Sequence, residues 1–389
     1  MFAFEVALAA APLVIAVYAY LGYPATLWLI AAGRRKTAPE VGKSWPSVTI
    51  TVPVYNAASN IRGTLERLLE VDYPREQLQL LVISDASTDG TDEIVKEYHS
   101  RGVELLTLPV RKGKTTAENA AVSVARGELI VNVDGTVLVP RESLKPLVRV
   151  FDDPTIGVAS SRDVSVSEAG NDVVRAESQY VGYEMWVRDL ETRVGSIVGA
   201  SGCFYAIRRC VHESPLRADL SWDFASVLVA RQQGYRSVSV PAAVCLIPRT
   251  AQLGTEMTRK VRTMARGLNT LFHLRSLMNP FKYGLFALML TSHKLLRWLP
   301  YLLAPIALVA LGLLATKSAI ALGILGVIGL GVVAGTLGLR RPGLTTLKPI
   351  ALAGFMVAAF SAGMMAWRAA IRQKRMATWD PTPRAELQG

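Results

Sequence analysis

The chain has 389 residues, 51% of them hydrophobic, and a mean hydropathy of +0.29, which is high for a purely soluble protein and leaves room for a catalytic domain plus membrane segments. The net charge of +12 suggests an anionic partner, but basic clusters such as Arg34 to Lys36, Arg340-Arg341 and Arg372 to Arg375 flank apolar stretches. That placement suits anionic membrane lipids, and with no recognition motif it sets nucleic acid aside. Cys203, Cys210 and Cys245 and four scattered histidines make neither a disulfide framework nor a metal cluster, as a reducing cytoplasmic domain would have it.

Phe4 to Ala32 is apolar apart from Glu5 and long enough to span a bilayer, without the basic n-region or short h-region of a cleaved leader. The basic residues 34–36 then place the next domain on the cytoplasmic side, after a polar linker ending near 46. Val48 to Asn56 reads as a buried strand ending in Pro53, Tyr55 and Asn56; Ile61, Leu65, Leu68 and Leu69 recur at helical spacing, and Leu78 to Ile83 reads as a second strand. This is a strand, helix, strand unit with a right-handed crossover, and ligands of such sheets sit beyond the carboxyl ends of the strands. Asn56, Asp85 and Asp89 are therefore expected to face one cleft.

Two other motifs fail on inspection. Asp85, Ser87, Asp89 and Gly90 imitate a calcium loop, but the twelfth position is Lys96 where a bidentate glutamate is required. Gly113-Lys114-Thr115 imitates the end of a phosphate-binding loop, but Leu108 stands where its first glycine belongs. The competing role for Ser87 and Asp89 is to cap the helix starting near Thr91.

That helix is expected from Thr91 to Ser100, followed by a strand Val103 to Thr107, a helix opening at Lys114 and passing through Asn119 to Val124, and a strand from Leu129 ending in Asp134. Asp134 also has a bland role, as a turn-former before Gly135. Glu177, Tyr180, Tyr183, Glu184 and Glu191 follow at helical spacing, and Gly199 to Gly202 allow close backbone approach to a ligand. Asp223 opens a helical pattern that reaches Gln233, so a helix N-cap is its competing role. Phe281 to Trp298 reads as an interfacial helix, and spans follow at about 299–316, 318–338 and 348–367. Three spans after a cytoplasmic domain leave Arg372, Lys374 and Arg375 on the opposite side, against the positive-inside rule, unless one segment is re-entrant or interfacial.

Pro53-Val54-Tyr55-Asn56, Asp85-x-Ser-x-Asp89-Gly-Thr, Gly113-Lys114 before Asn119, Asp134, Gly202 before Tyr205 to Arg209, and Asp223-Phe224 before Gly234-Tyr235-Arg236 occur in the order seen in family 2 glycosyltransferases, and the chain resembles the membrane-bound bacterial members. The resemblance implies a GT-A-type fold: an α/β, doubly wound mixed sheet catalytic domain, with transmembrane α-helices. It divides the chain into a transmembrane helix 1–33, a basic linker 34–46, a glycosyltransferase domain 47–275, an amphipathic interface helix 276–298, a transmembrane region 299–370 and a basic tail 371–389.

By the same resemblance Pro53, Tyr55, Asn56 and Asp85 bind the nucleoside of a nucleotide-sugar donor, Lys114 and Asp134 take its diphosphate, and Asp134 holds Mg2+ or Mn2+. Asp223 is the base that deprotonates a lipid-linked or glycan acceptor, and Arg259 and Arg262 contact the diphosphate or acceptor. The departures are Thr136 where a second carboxylate is usual, Trp222 for an acid that Asp219 would replace, and Arg259 and Thr263 in a Gln-x-x-Arg-Trp segment. They leave two rivals open, a processive polysaccharide synthase and a non-catalytic subunit of the same fold.

Overall fold

The computed structural model describes residues 1–34, 44–166, 172–212, 214–248, 253–341, 343, 347–372 and 378. They form two compact units. Arg35, Lys36, Lys374 and Arg375, which carry much of the charge argument on topology, lie outside the described residues.

The larger unit is built on one seven-stranded sheet: β1 (Val48–Val54), β2 (Leu78–Ser84), β3 (Val103–Thr107), β4 (Leu129–Val133), β5 (Ile156–Val166), β6 (Phe204–Arg208) and β7 (Arg236–Pro248), in the order β3-β2-β1-β4-β6-β5-β7. The first four strands are parallel neighbours, β6 runs antiparallel to both β4 and β5, and β5 pairs parallel with β7. This is the doubly wound mixed sheet expected.

Every residue of β1 is buried, as a strand covered by helices on both faces must be. Its two threonines are tolerated because their hydroxyls are satisfied: Thr49 donates to Gln79 Oε1 (2.7 Å) and Thr51 to Asn132 Oδ1 (2.7 Å). Pro53 sits in this central strand at little cost, because pairing with β4 ends at Thr51, beyond which no ladder bond is lost on that side.

The helix Lys114–Val124 lays Ala117 and Ala121 against Leu81 and Ile83 of β2. Small side chains one turn apart let its axis approach the sheet closely. Its first residue, Lys114, is thereby held at the carboxyl edge of the strands. The helix expected from Thr91 to Ser100 is shorter, Thr91–Glu97, and gives way to a 3-10 turn at His99–Arg101.

Among the described residues four helices have the length and composition to cross a membrane: Phe2–Ala32, Leu285–Ala315, Ala319–Arg340 and Lys348–Ile371; most of their length lies in the second unit. Two sequence boundaries are corrected here. No break separates an interfacial helix from a span near Trp298; the helix runs on from Leu285 to Ala315, through Pro300 and Pro305 and a π-turn at Thr291–Leu295. Proline inside an apolar helix is accommodated by such local adjustments, and the break falls at Gly284, whose φ of +54° only glycine adopts freely.

The domain boundary at 275 also moves. Residues 253–271 belong with the apolar helices: the helix Leu253–His273 buries Val261, Ala265, Leu268 and Leu271, and a side chain at Gly267 would meet the Trp298 ring 2.7 Å from its Cβ.

Candidate functional site

The carboxyl ends of β1 and β2 are two turns tied to each other. Asn56 and Ala86 both take positive φ, 48° and 59°. Asn56 Oδ1 accepts the Thr88 N–H (2.8 Å), and its own N–H donates to Ser87 Oγ (3.1 Å). Asp89 accepts from the Ala58 N–H (3.0 Å) and from the Thr91 N–H (3.1 Å) and hydroxyl (2.5 Å). Asp89 therefore holds the start of the helix at Thr91, whereas Ser87 ties the two turns together and does not cap that helix; burial alone would raise the Asp89 carboxyl, but these bonds outweigh it and hold it below its usual range.

Asp85 is fully buried, and its two oxygens accept the Lys112 N–H (2.8 Å) and the Gly113 N–H (2.7 Å). Those bonds fix the loop that delivers Lys114. On the other side of that loop the Arg111 guanidinium lies 3.8 Å from the centre of the Tyr55 ring, a flat cation–π pair of the kind that stacks on planar groups. Pro53 is buried behind these residues within β1.

Beyond β4 the charged groups converge. Lys114 Nζ donates to Asp134 Oδ1 (2.5 Å) and to the Gly202 carbonyl (3.1 Å), and Glu118 Oε1 lies 3.8 Å away. Asp223 stands over the same glycine: a Cβ on Gly202 would come within 3.1 Å of its Oδ2. Burial by itself would lower the Lys114 pKa, but Asp134, Glu118 and Asp223 outweigh it and hold the ammonium above the usual lysine range. The buried Tyr205 phenol is pushed well up, first by burial and then by the same three carboxylates. One ammonium among three carboxylates leaves this point short of positive charge.

Asp223 is not the helix N-cap. Ser221 holds that position before the helix Trp222–Gln232, and its hydroxyl donates to Asp223 Oδ1 (2.5 Å). Trp222, which in sequence looked like the loss of an acid, has its own task. Its indole N–H donates to Asn119 Oδ1 (2.9 Å), and its ring stacks on His212 with centroids 3.8 Å apart. Thr115 donates to the Leu220 carbonyl (2.8 Å), so the helix bearing Lys114 also anchors the loop that leads into the helix bearing Asp223. Asp219, the acid expected to compensate, is engaged by Arg217, which donates to both its oxygens at 3.1 and 2.8 Å.

Glu118 was missed in the sequence. A glutamate four residues after a lysine looks like a surface pair; the signal was the alanines at 117 and 121, which mark that face as buried. Arg259 and Arg262 are about one turn apart on the helix Leu253–His273, in the unit of apolar helices.

The mixed sheet with acidic side chains gathered at its carboxyl edge is a GT-A-type fold. A solved mannosyltransferase from Pyrobaculum calidifontis, in complex with GDP-Man and Mn2+, superposes with a TM-score of 0.72 at 23% identity, covering 96% of this chain and 99% of that one. Residues 49–214 match the model of glycosyl transferase family 2. Among curated relatives, a beta-monoglucosyldiacylglycerol synthase from Nostoc is 26% identical over 187 residues, 47% of this chain and 40% of the relative. An N-acetylglucosaminyltransferase from Rhizobium is 25% identical over 240 residues, 56% of this chain and 52% of the relative. The chain thus spans about half the length of the curated relatives it matches.

Proposed function

We propose that the chain is a membrane-embedded, inverting glycosyltransferase that moves a sugar from a cytosolic nucleotide-diphosphate donor to a lipid-linked or polysaccharide acceptor in surface glycan synthesis. The observation that carries this is the convergence of Lys114, Asp134 and Asp223 on Gly202 at the carboxyl edge of the sheet. Four apolar helices support a multi-pass place in the plasma membrane with the sheet in the cytoplasm. A relative that makes a glucosylated diacylglycerol supports a lipid acceptor, and the mannosyltransferase held with GDP-Man supports the donor class.

In this scheme Tyr55, stacked on Arg111, with Asn56 and Asp85 and with Pro53 behind them, receives the nucleoside, and Lys114 and Asp134 receive the diphosphate. Arg259 and Arg262 contact phosphate or acceptor. The acceptor oxygen attacks the anomeric carbon opposite the diphosphate while Asp223 takes the hydroxyl proton. The new carbon–oxygen bond forms as the bond to the diphosphate breaks, the electron pair leaves on the phosphate oxygen, and the configuration inverts.

Asp134 is the carboxylate at the diphosphate end, and among the described residues no three His, Cys, Asp or Glu side chains are grouped to cage a metal. That donor set fits a magnesium or manganese ion drawing most of its oxygens from the nucleotide. Such an ion supplies charge neutralisation of the departing diphosphate.

The test is nucleotide diphosphate release from a panel of nucleotide sugars by the detergent-solubilised protein, with and without Mg2+ or Mn2+, beside Asp134→Ala. Metal-dependent release abolished by Asp134→Ala is expected. Neither turnover nor binding for any donor would refute it and leave a non-catalytic subunit.

A further inference from the structure

The helix that carries Lys114 also carries a carboxylate for which the proposed transfer has no use. Glu118 is one turn further along the same face and only 1% exposed. Its neighbour Asn119 is fixed at both ends of its amide, donating to the Leu216 carbonyl (2.6 Å) and accepting from the Leu216 N–H (3.1 Å) and the Trp222 indole (2.9 Å), so this turn of helix has little freedom. A carboxylate so deeply placed is costly unless a cation stays within reach. Lys114 is such a cation, 3.8 Å from Glu118 while it bonds Asp134 at 2.5 Å.

The two carboxylates differ in access. The Asp134 side chain is 27% exposed, whereas the Glu118 side chain is 1% exposed. A cation arriving with a donor reaches Asp134 and finds the ammonium already there. With Asp134 alone, cation and ammonium would compete for one carboxylate. A second, sheltered carboxylate relieves that competition, and moving the ammonium from 3.8 Å to hydrogen-bond distance takes a shift of only about 1 Å.

We propose that Glu118 is a positioning residue that receives the Lys114 ammonium when the divalent cation of a donor diphosphate takes Asp134, a role that rests on the transfer reaction proposed above. Lys114 then stays in the cleft as a second positive charge facing the diphosphate instead of being expelled.

The test is Mn2+ binding read by electron paramagnetic resonance on the full-length protein in detergent, with GDP or UDP present and no sugar donor. Glu118→Gln is expected to raise the half-saturating Mn2+ concentration about tenfold, since the ammonium then keeps its hydrogen-bonded place on Asp134. Adding Lys114→Met in that background is expected to bring the value back down, because the competitor is gone. Glu118→Asp, which withdraws the carboxylate by one methylene, is expected to fall between, and it keeps the test open if Glu118→Gln does not fold.

An unchanged Mn2+ half-saturation in Glu118→Gln, or an equal loss of nucleotide binding with and without Mn2+, would overturn the proposal and leave Glu118 a packing residue. If the wild-type protein binds no Mn2+ with either nucleotide, the donor-site assignment falls too. Wild-type binding with an unresponsive Glu118→Gln sinks the Glu118 role alone.

Discussion

Replacing Asp223 by asparagine isolates the base. The side chain sits at the second position of the helix Trp222–Gln232, with Ser221 donating to Oδ1 at 2.5 Å and Gly202 facing Oδ2. Asparagine has the same shape and keeps an oxygen for Ser221, so the packing survives. Loss of a negative charge in the first helical turn costs about 0.3 to 1 kcal/mol of stability, too little to unfold the domain. A positioned base contributes roughly 100- to 10,000-fold to turnover, or about 3 to 5 kcal/mol of barrier. Asp223→Asn should therefore lose at least about a hundredfold in nucleotide diphosphate release, while calorimetric donor affinity and the thermal midpoint stay close to wild type. Asp219→Asn should turn over normally, because Arg217 already engages that carboxylate. Turnover of Asp223→Asn within a few-fold of wild type would refute the base assignment, and loss in Asp219→Asn instead would transfer the role.

Gly202→Ala forces a methyl against Asp223 Oδ2 at 3.1 Å. A shift of a few tenths of an ångström should cut kcat about tenfold with donor affinity kept, and an unchanged kcat would show that Asp223 tolerates displacement. Burial pushes the His212 imidazole down to about 3 from 6.5. Because the unfolded chain binds that proton and the fold does not, stability should fall by about 1.4 kcal/mol per pH unit between those two values. Unfolding of wild type and His212→Gln at pH 7 and pH 5 checks this, and an equal loss in both would exclude His212 as its source. Gly335→Ala places a Cβ 2.5 Å from the Ala353 carbonyl oxygen of the neighbouring helix. Backbone cannot yield as a side chain does, so the detergent-phase unfolding midpoint should drop by the equivalent of about 1 to 3 kcal/mol; no drop would mean that these helices separate freely.

The parallel half of the sheet was legible because β1, β2 and β4 are runs of Val, Ile and Leu ending in Asn56, Asp85 and Asp134, and a strand buried on both faces cannot look otherwise. The other half was not. The insertion of β6 between β4 and β5, antiparallel to both, is decided by pairings between residues far apart in sequence, which no local period records. Within the site, Lys114, Asp134 and Asp223 were found as polar residues at strand and helix ends. Asp89 and Asp219 were given freer roles than they have, because their partners, the Ala58 N–H and Arg217, carry no distinctive spacing. Trp222 counted as a defect until Asn119 and His212 came within its reach. The missed helix boundary has another cause: Lys294 and Arg297 among apolar residues look like the polar face of an interfacial helix, yet the helix runs on from Leu285 to Ala315 and Gly284 ends the preceding turn.

Among the apolar helices, Glu5 is buried, and both its oxygens lie 2.8 Å from the ammonium of Lys317, 312 positions further along the chain. At a synthesis rate of roughly 5 to 20 residues per second, the carboxylate waits about a quarter of a minute to a minute for its partner. Throughout that interval Glu5 lacks the ammonium supplied by the turn between the helices ending at Ala315 and starting at Ala319. The Glu5–Lys317 pair is therefore made late in biogenesis, and a ribosome stalled before residue 317 would leave the buried Glu5 carboxylate without this ammonium.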